Sequence, residues 1–321
     1  MINKKEIKLV FMGTPEFSAK ILDGLLNDGY DIIGVITEPD KPTGRKMEVL
    51  PTPVKKFALE KGLKLFQPST KAEVQLTTYN LQPDIVVVAA YGKIITAETL
   101  EIPKYGCVNF HASLLPALRG PSPVQSAILE GLDKTGVTIM IMDENMDTGP
   151  MLSQVEITLD SNETATTLRA KMLEKGLPLL LKTLKEYIAG EIKPKKQENK
   201  KATYCKMINK EDGRVDFSSS AEIEERKTRA FNEWPGVYAF FGEKRIKFLE
   251  VGLSGGNTSA TNDQFSNYKN GEVFLDVNGD VCVSFAQGYW VINRLQLEGK
   301  KETTAHEFLN GHKSIIGSIL R

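Results

Sequence analysis

Residues 84–116, DIVVVAAYGKIITAETLEIPKYGCVNFHASLLP, decide how the fold is read. The run Asp84–Ala90 is short, apolar and rich in β-branched residues, the pattern of a strand buried on both faces, and Gly106–Phe110 reads as a second strand. Toward the amino terminus Ile7–Met12 and Tyr30–Ile36 repeat the pattern, with an amphipathic stretch Pro15–Asn27 between them and a Pro-led helix over Pro53–Lys61. Toward the carboxyl terminus come a helix Pro123–Glu130, a strand Gly136–Met142 and a hairpin-like return over Met151–Leu159. A long helix Glu163–Ala189 then stops at Gly190. This alternation over residues 1–190 predicts an α/β domain, Rossmann-like, with a mainly parallel sheet.

Beyond it the pattern changes. Residues 191–206 are lysine-rich, poor in apolar side chains, and read as a basic linker. Over 207–321 one helix, opened by a capping pair Ser219 and Glu222, gives way to strands. Val237–Phe241 and Arg245–Val251 flank Gly-Glu-Lys, while Glu272–Val277 and Val281–Phe285 flank Asn-Gly-Asp, so both pairs read as hairpins. A strand Tyr289–Leu297 and a short terminal helix complete what is predicted to be a small β-barrel of the OB-like kind. Ser254–Asn270, full of Ser, Gly, Asn and Thr, reads as a mobile excursion.

A chain of 321 residues, 41% apolar and 26% charged, suits two globular domains. No run approaches the ~18 apolar residues of a membrane span, and the opening MINKKEIKLVFMG lacks a secretory cleavage site, so the expected location is cytoplasmic. Cys107, Cys205 and Cys282 have no metal-binding or disulfide spacing; no metal is expected. Net charge is zero, so any polyanion must be held locally. Residues 193–206 and the loop 38–56, with Lys41, Arg45, Lys46, Lys55 and Lys56, are the basic stretches; by composition alone they read as solvated surface.

Open α/β sheets bind ligands beyond the carboxyl ends of their strands. Asn109 and His111 stand two apart at such an end, hence on one face. The strand Gly136–Met142 runs on to Asp147, which is expected at the same edge of the sheet. Taken singly, His111 reads equally as a histidine satisfied by backbone and Asp147 as a turn residue before Thr-Gly.

Three stretches, GCVNFHASLLP (106–116), RGPSPVQSAI (119–128) and GVTIMIMDENMDTGPML (136–152), together resemble the folate-dependent formyltransferase family. The resemblance implies 10-formyltetrahydrofolate as co-substrate, Asn109, His111 and Asp147 as catalytic residues, and folate contacts from Ser113, Leu114, Leu115 and Pro116. It also implies that Ala90, Tyr91 and Gly92 offer a backbone edge to the pterin. The residue types fit the chemistry: an amine attacks the formyl carbon, Asn109 and His111 can donate to the oxygen that becomes negative, and Asp147 can accept the amine proton.

The loop PDKPTGRKMEVLPTPVK (39–55) is similar to the basic insertion of the branch of this family that acts on initiator Met-tRNA, which implies tRNA contacts from Arg45 and Lys46. YCKMINKEDGRVDF (204–217), RAFNEWPGVY (229–238) and LQLEGKK (295–301) resemble that branch's linker and carboxyl-terminal barrel, implying a tRNA-binding domain over 207–321 in a monomer. Two places depart from the family pattern: Ala117-Leu118-Arg119 stands where a basic or aromatic pair is common, and the Gly44–Met47 turn is short. Carrier hydrolysis, sugar-amine formylation and a non-catalytic RNA-binding role are the alternatives. A nicotinamide enzyme is disfavoured, because Gly13-Thr14-Pro15-Glu16-Phe17 after the first strand lacks GxGxxG.

Overall fold

An apolar run with no polar member needs cover on both faces, and the first strand has it. In the computed structural model, which describes residues 3–43, 48–253 and 268–321, Leu9–Met12 of β1 (Lys8–Gly13) expose no surface. The helix α1 (Glu16–Asn27) buries Ser18, Ala19, Ile21, Leu22 and Leu25, one stripe at helical spacing. Next come β2 (Asp31–Ile36) and a hairpin of β3 (Lys41–Thr43) and β4 (Glu48–Leu50). Helix α2 (Pro53–Glu60) starts at a proline behind the side-chain cap of Thr52. β5 (Leu65–Phe66) and α3 (Lys71–Leu81) have no counterpart in the sequence reading. The helix buries only Val74 and Thr78, an i,i+4 pair too sparse to mark a stripe.

β6 (Ile85–Ala89), the short α4 (Ala97–Leu100), β7 (Cys107–His111), α5 (Pro123–Leu129), β8 (Lys134–Ile141), β9 (Met151–Thr158) and α6 (Ala165–Ile188) follow. The seven-stranded sheet runs β5-β2-β1-β6-β7-β8-β9. It is parallel from β5 to β7, and β8 and β9 are antiparallel. Strand order reverses at β1, between β2 and β6, which makes the carboxyl ends of β1 and β6 a switch-point crevice.

The chain forms two units that interleave in sequence: Met1–Pro123, Lys134–Leu159 and Arg169–Cys205 in one, Val124–Asp133, Asp160–Leu168 and Lys206–Arg321 in the other. The lysine-rich stretch up to Cys205 therefore packs with the first unit, where Lys195 bridges Met151 and Tyr204 bridges Arg119.

In the second unit α7 (Ala221–Ala230) is capped by Ser220, one residue later than expected. An antiparallel sheet follows, β10 (Val237–Phe241), β11 (Lys244–Leu253), β12 (Val273–Leu275), β13 (Val281–Ser284), β14 (Tyr289–Leu297) and β15 (Thr303–Thr304), then α8 (Ala305–Gly311). Its path is β10-β11-β14-β13-β12, and the last residues of the chain join its ends. Val273 N donates to Ser318 O and Leu320 N to Gly271 O, while Phe240 and Arg321 exchange backbone bonds. The sheet thus curls around a core holding the buried Trp290, whose ring meets Phe248 and Phe285 and whose Nε1 donates to Ala221 O at 2.8 Å. Most of the excursion foreseen at 254–270 lies outside the described residues. Among the described residues no helix is long and apolar enough to cross a membrane.

Candidate active site

β7 places Asn109 and His111 on one face at the carboxyl end of the parallel strands, as the spacing of two requires. Asp147 reaches them by a different route from the one expected. β8 runs antiparallel to β7, so Ile141 lies opposite Val108, three residues back from His111, and the 142–150 loop must fold back toward the imidazole. The return is tight. Asp147 adopts a left-handed backbone (φ 55°), and at Gly149 a Cβ atom would lie 1.9 Å from the carbonyl oxygen of Ile141.

The result is a buried pair. His111 Nδ1 stands 3.5 Å from Asp147 Oδ1, and His111 Nε2 is 3.2 Å from the carbonyl oxygen of Leu118. A carbonyl only accepts, so Nε2 carries the proton; the neutral ring then presents a bare Nδ1 to a carboxylate. Burial holds the imidazole below its ordinary pKa, against the opposing pull of Asp147 and of the Leu118 carbonyl. Asp147 Oδ2 accepts from Gly120 N at 2.8 Å. Asn109 is half-buried, and its side-chain amide has no hydrogen-bond partner among the described residues.

The turn after His111 is tied down from inside. The buried Thr138 hydroxyl donates to Ser113 O (2.7 Å) and accepts from Leu115 N (3.0 Å) and Gln154 Nε2 (2.9 Å). Gln154 Nε2 also donates to Leu115 O, and Ser113 Oγ to Ala117 O. Ser113 and Leu115 are buried, while Leu114, packed on Gly136, and Pro116 are half-buried. Residues 203–205 hold the next stretch: Leu118 N donates to Thr203 Oγ1, Arg119 N to Thr203 O, and Cys205 N to Arg119 O.

At the switch point Ala90 (φ 46°) and Gly92 (φ 88°) are exposed, whereas Tyr91 turns into the core of the sheet. Its hydroxyl is buried without a partner, and burial together with Glu38 pushes its pKa up to about 12. Thr14 Oγ1 fixes this edge by donating to Tyr91 O at 2.8 Å. Arg45 and Lys46 lie outside the described residues, but the base of their loop is braced: Lys55 pairs with Asp40 at 2.5 Å, and Gln67 donates to Asp40 and to Glu38 O. No group of three or more potential metal ligands occurs among the described residues.

Sequence reasoning missed Thr138, Gln154 and Thr203. A single polar residue within a strand or a basic stretch leaves no periodic mark, so no pattern could have found them.

Residues 7–184 match the model of the formyl transferase family and residues 207–313 that of the formyl transferase carboxyl-terminal domain. The methionyl-tRNA formyltransferase of Lachnospira eligens is 37% identical over 318 residues, covering 98% of this chain and 99% of that protein. The methionyl-tRNA formyltransferase of Caldicellulosiruptor saccharolyticus is 40% identical over 316 residues, covering 97% and 99%. Among solved structures, the sugar 3N-formyl transferase WlaRD has the same fold at 23% identity, with a TM-score of 0.64 over 92% of this chain and 99% of that one. HypX from Aquifex aeolicus in complex with tetrahydrofolic acid matches at 15% identity and a TM-score of 0.66, over 97% of this chain and 48% of its own. On these full-length likenesses the chain belongs to the formyl transferase family, among its methionyl-tRNA formyltransferases.

Proposed function

We propose that the chain moves the formyl group of 10-formyltetrahydrofolate to the free amino group of initiator Met-tRNA, acting as a cytoplasmic monomer. The observation that carries the chemical part is an unpartnered amide at Asn109 beside a His111–Asp147 pair that is one proton short. When bound, the carrier supplies the formyl group. Asn109 donates a hydrogen bond where negative charge develops on the formyl oxygen. His111 is less available for that task than the sequence suggests, because both ring nitrogens already face acceptors within the chain. The proton released by the amine goes instead to the gap between Nδ1 and Oδ1, where it relieves the contact of two acceptors, and it passes on to N10 of the carrier as the bond between the formyl carbon and N10 breaks.

The residues around the switch point fit a flat, polar-edged ring with an apolar tail. Ala90 and Gly92 offer exposed main chain, and Leu114 and Pro116 offer apolar surface, with Ser113 and Leu115 holding them from behind. Arg45 and Lys46, which follow β2 in the sequence, are assigned to the acceptor stem, and the second unit to the body of the tRNA.

The test is an acceptor panel. The protein is incubated with 10-formyltetrahydrofolate and Met-charged initiator tRNA, uncharged tRNA, a nucleotide-linked amino sugar, or water alone. Formyl-methionine on the tRNA is the expected product. Equal loss of formyl group in every arm would assign the chain to carrier hydrolysis, and transfer to the sugar alone would reassign the acceptor.

A further inference from the structure

Arg119 is the one lysine or arginine among the described residues that is wholly buried, and no carboxylate among them lies within ion-pair distance of it. Its guanidinium is held by neutral acceptors. Nε and Nη2 donate to Gln197 Oε1 (3.1 and 2.8 Å), Nη2 also to Asn199 Oδ1 (2.8 Å), and Nη1 to Tyr204 Oη (3.3 Å). A buried cation without a counter-charge is costly, so the cage must hold something besides itself in place.

The other end of the Gln197 amide shows what that is. Its Nε2 donates to Asp147 O and to Gly149 O, both at 2.8 Å. The orientation of the amide is unambiguous, because only its oxygen can face a guanidinium and only its nitrogen can face two carbonyls. Those carbonyls flank Thr148 in the turn where Asp147 is left-handed and Gly149 has no room for a side chain. Asp147 belongs to a residue type that adopts this backbone at a cost of about 1–2 kcal/mol, and while Thr148 Oγ1 ties the turn to Asp143 from within, the carbonyls on either side of Thr148 take their bonds from Gln197.

We propose that Gln197 is a positioning residue for formyl transfer: oriented by Arg119, it clamps the 147–149 turn so that the Asp147 carboxylate stands at His111. The inference rests on the catalytic reading of Asp147 given above. It makes a residue beyond the expected 190 boundary part of the machinery of the first unit, to which all these groups belong.

Gln197→Glu separates the two ends of the amide. The carboxylate still accepts from Arg119, now as an ion pair, but it turns oxygen toward the carbonyls of Asp147 and Gly149. We expect a melting midpoint no lower than that of the parent, unchanged KM for carrier and tRNA, and kcat reduced about 10- to 100-fold, the scale of a misplacement near 1 Å. Because the effect runs through Asp147, Gln197→Glu added to Asp147→Asn should reduce kcat by less than about threefold further. Gln197→Leu, which presents nothing to either side, should give the same kinetic coupling even if it melts earlier. Parental kcat in both Gln197 variants, or a full independent loss in the Asp147→Asn background, overturns the positioning role alone. Parental kcat in Asp147→Asn by itself overturns the catalytic reading, and Gln197 then has nothing to position.

Discussion

Thr138→Val keeps the shape of a fully buried side chain and removes one hydroxyl, so its cost can be worked out from the bonds that hydroxyl makes. It donates to Ser113 O and accepts from Leu115 N and Gln154 Nε2. Each such bond contributes about 1 kcal/mol net, and a buried N–H left without an acceptor costs about 1–3 kcal/mol. Gln154 loses least, because it keeps Leu115 O at 2.8 Å. The stranded groups are Ser113 O and Leu115 N, which gives a loss of about 3 kcal/mol, a factor of roughly 100 in the folding equilibrium of the first unit. The tryptophans, Trp234 and Trp290, both belong to the second unit, so fluorescence follows that unit and far-UV circular dichroism follows the whole chain. Urea titrations read by both probes should show the circular dichroism transition of Thr138→Val moving to lower denaturant, with Thr138→Ser close to the parent. The loosened turn should also raise KM for the carrier. A loss below about 1 kcal/mol would mean that the turn holds its shape without the hydroxyl, and would refute the reasoning.

Asn109→Ala should lower kcat about 100- to 1000-fold with an unchanged melting profile, as removal of one oxyanion donor does; near-parental turnover would take the oxyanion away from Asn109. His111, held down by burial, should titrate by NMR below its ordinary value of about 6.5, and in Asp147→Asn, which removes the opposing carboxylate, lower still. The sign for stability follows: above about pH 6.5 the group makes no difference, and as pH falls from there through the folded-state value the unfolded chain binds more protons and stability drops. A titration that rises in Asp147→Asn would contradict the assignment of causes. Arg45→Ala with Lys46→Ala should flatten the slope of log affinity for Met-tRNA against log salt by about one to two units while leaving carrier binding alone. An unaltered slope and affinity would leave that loop without a part in recognition.

The parallel half of the sheet was legible because burial on both faces writes itself as unbroken apolar runs, as in Leu9–Met12 and Ile85–Ala89. Asn109 and His111 were legible as neighbours because a spacing of two in a strand means one face. The direction of β8 was not. Its burial runs unbroken from Thr135 to Met140, which suits either orientation, and the expectation that Asp147 leaves the sheet at the same edge as His111 assumed the parallel one. The helix α3 escaped because two buried residues make no stripe. The buried positions of Ser113 and Leu115 escaped because the hydroxyl that draws them in belongs to Thr138, which stands 23 residues from Leu115.

The reversal of β8 explains why the first unit needs residues beyond its last long helix. Had β8 been parallel, a carboxylate just past its end would have met His111 directly. Antiparallel, the strand delivers residue 141 opposite Val108, and the chain must double back through a left-handed Asp147 and a crowded Gly149. The turn has bonds of its own, Thr148 Oγ1 donating to both carboxylate oxygens of Asp143 and Ile141 N to Pro150 O, but none of these reaches the carbonyls at 147 and 149. Both are satisfied by one amide from the lysine-rich stretch, and that amide is aimed by a buried arginine from the loop after β7. Thr203 from the same stretch fixes Leu118, whose carbonyl meets the other nitrogen of His111. Residues 197–205 therefore brace both sides of the histidine. The six lysines of residues 193–206, which suggest a solvated linker, are beside the point; the uncharged Gln197 and Thr203 between them are what tie the segment to the site.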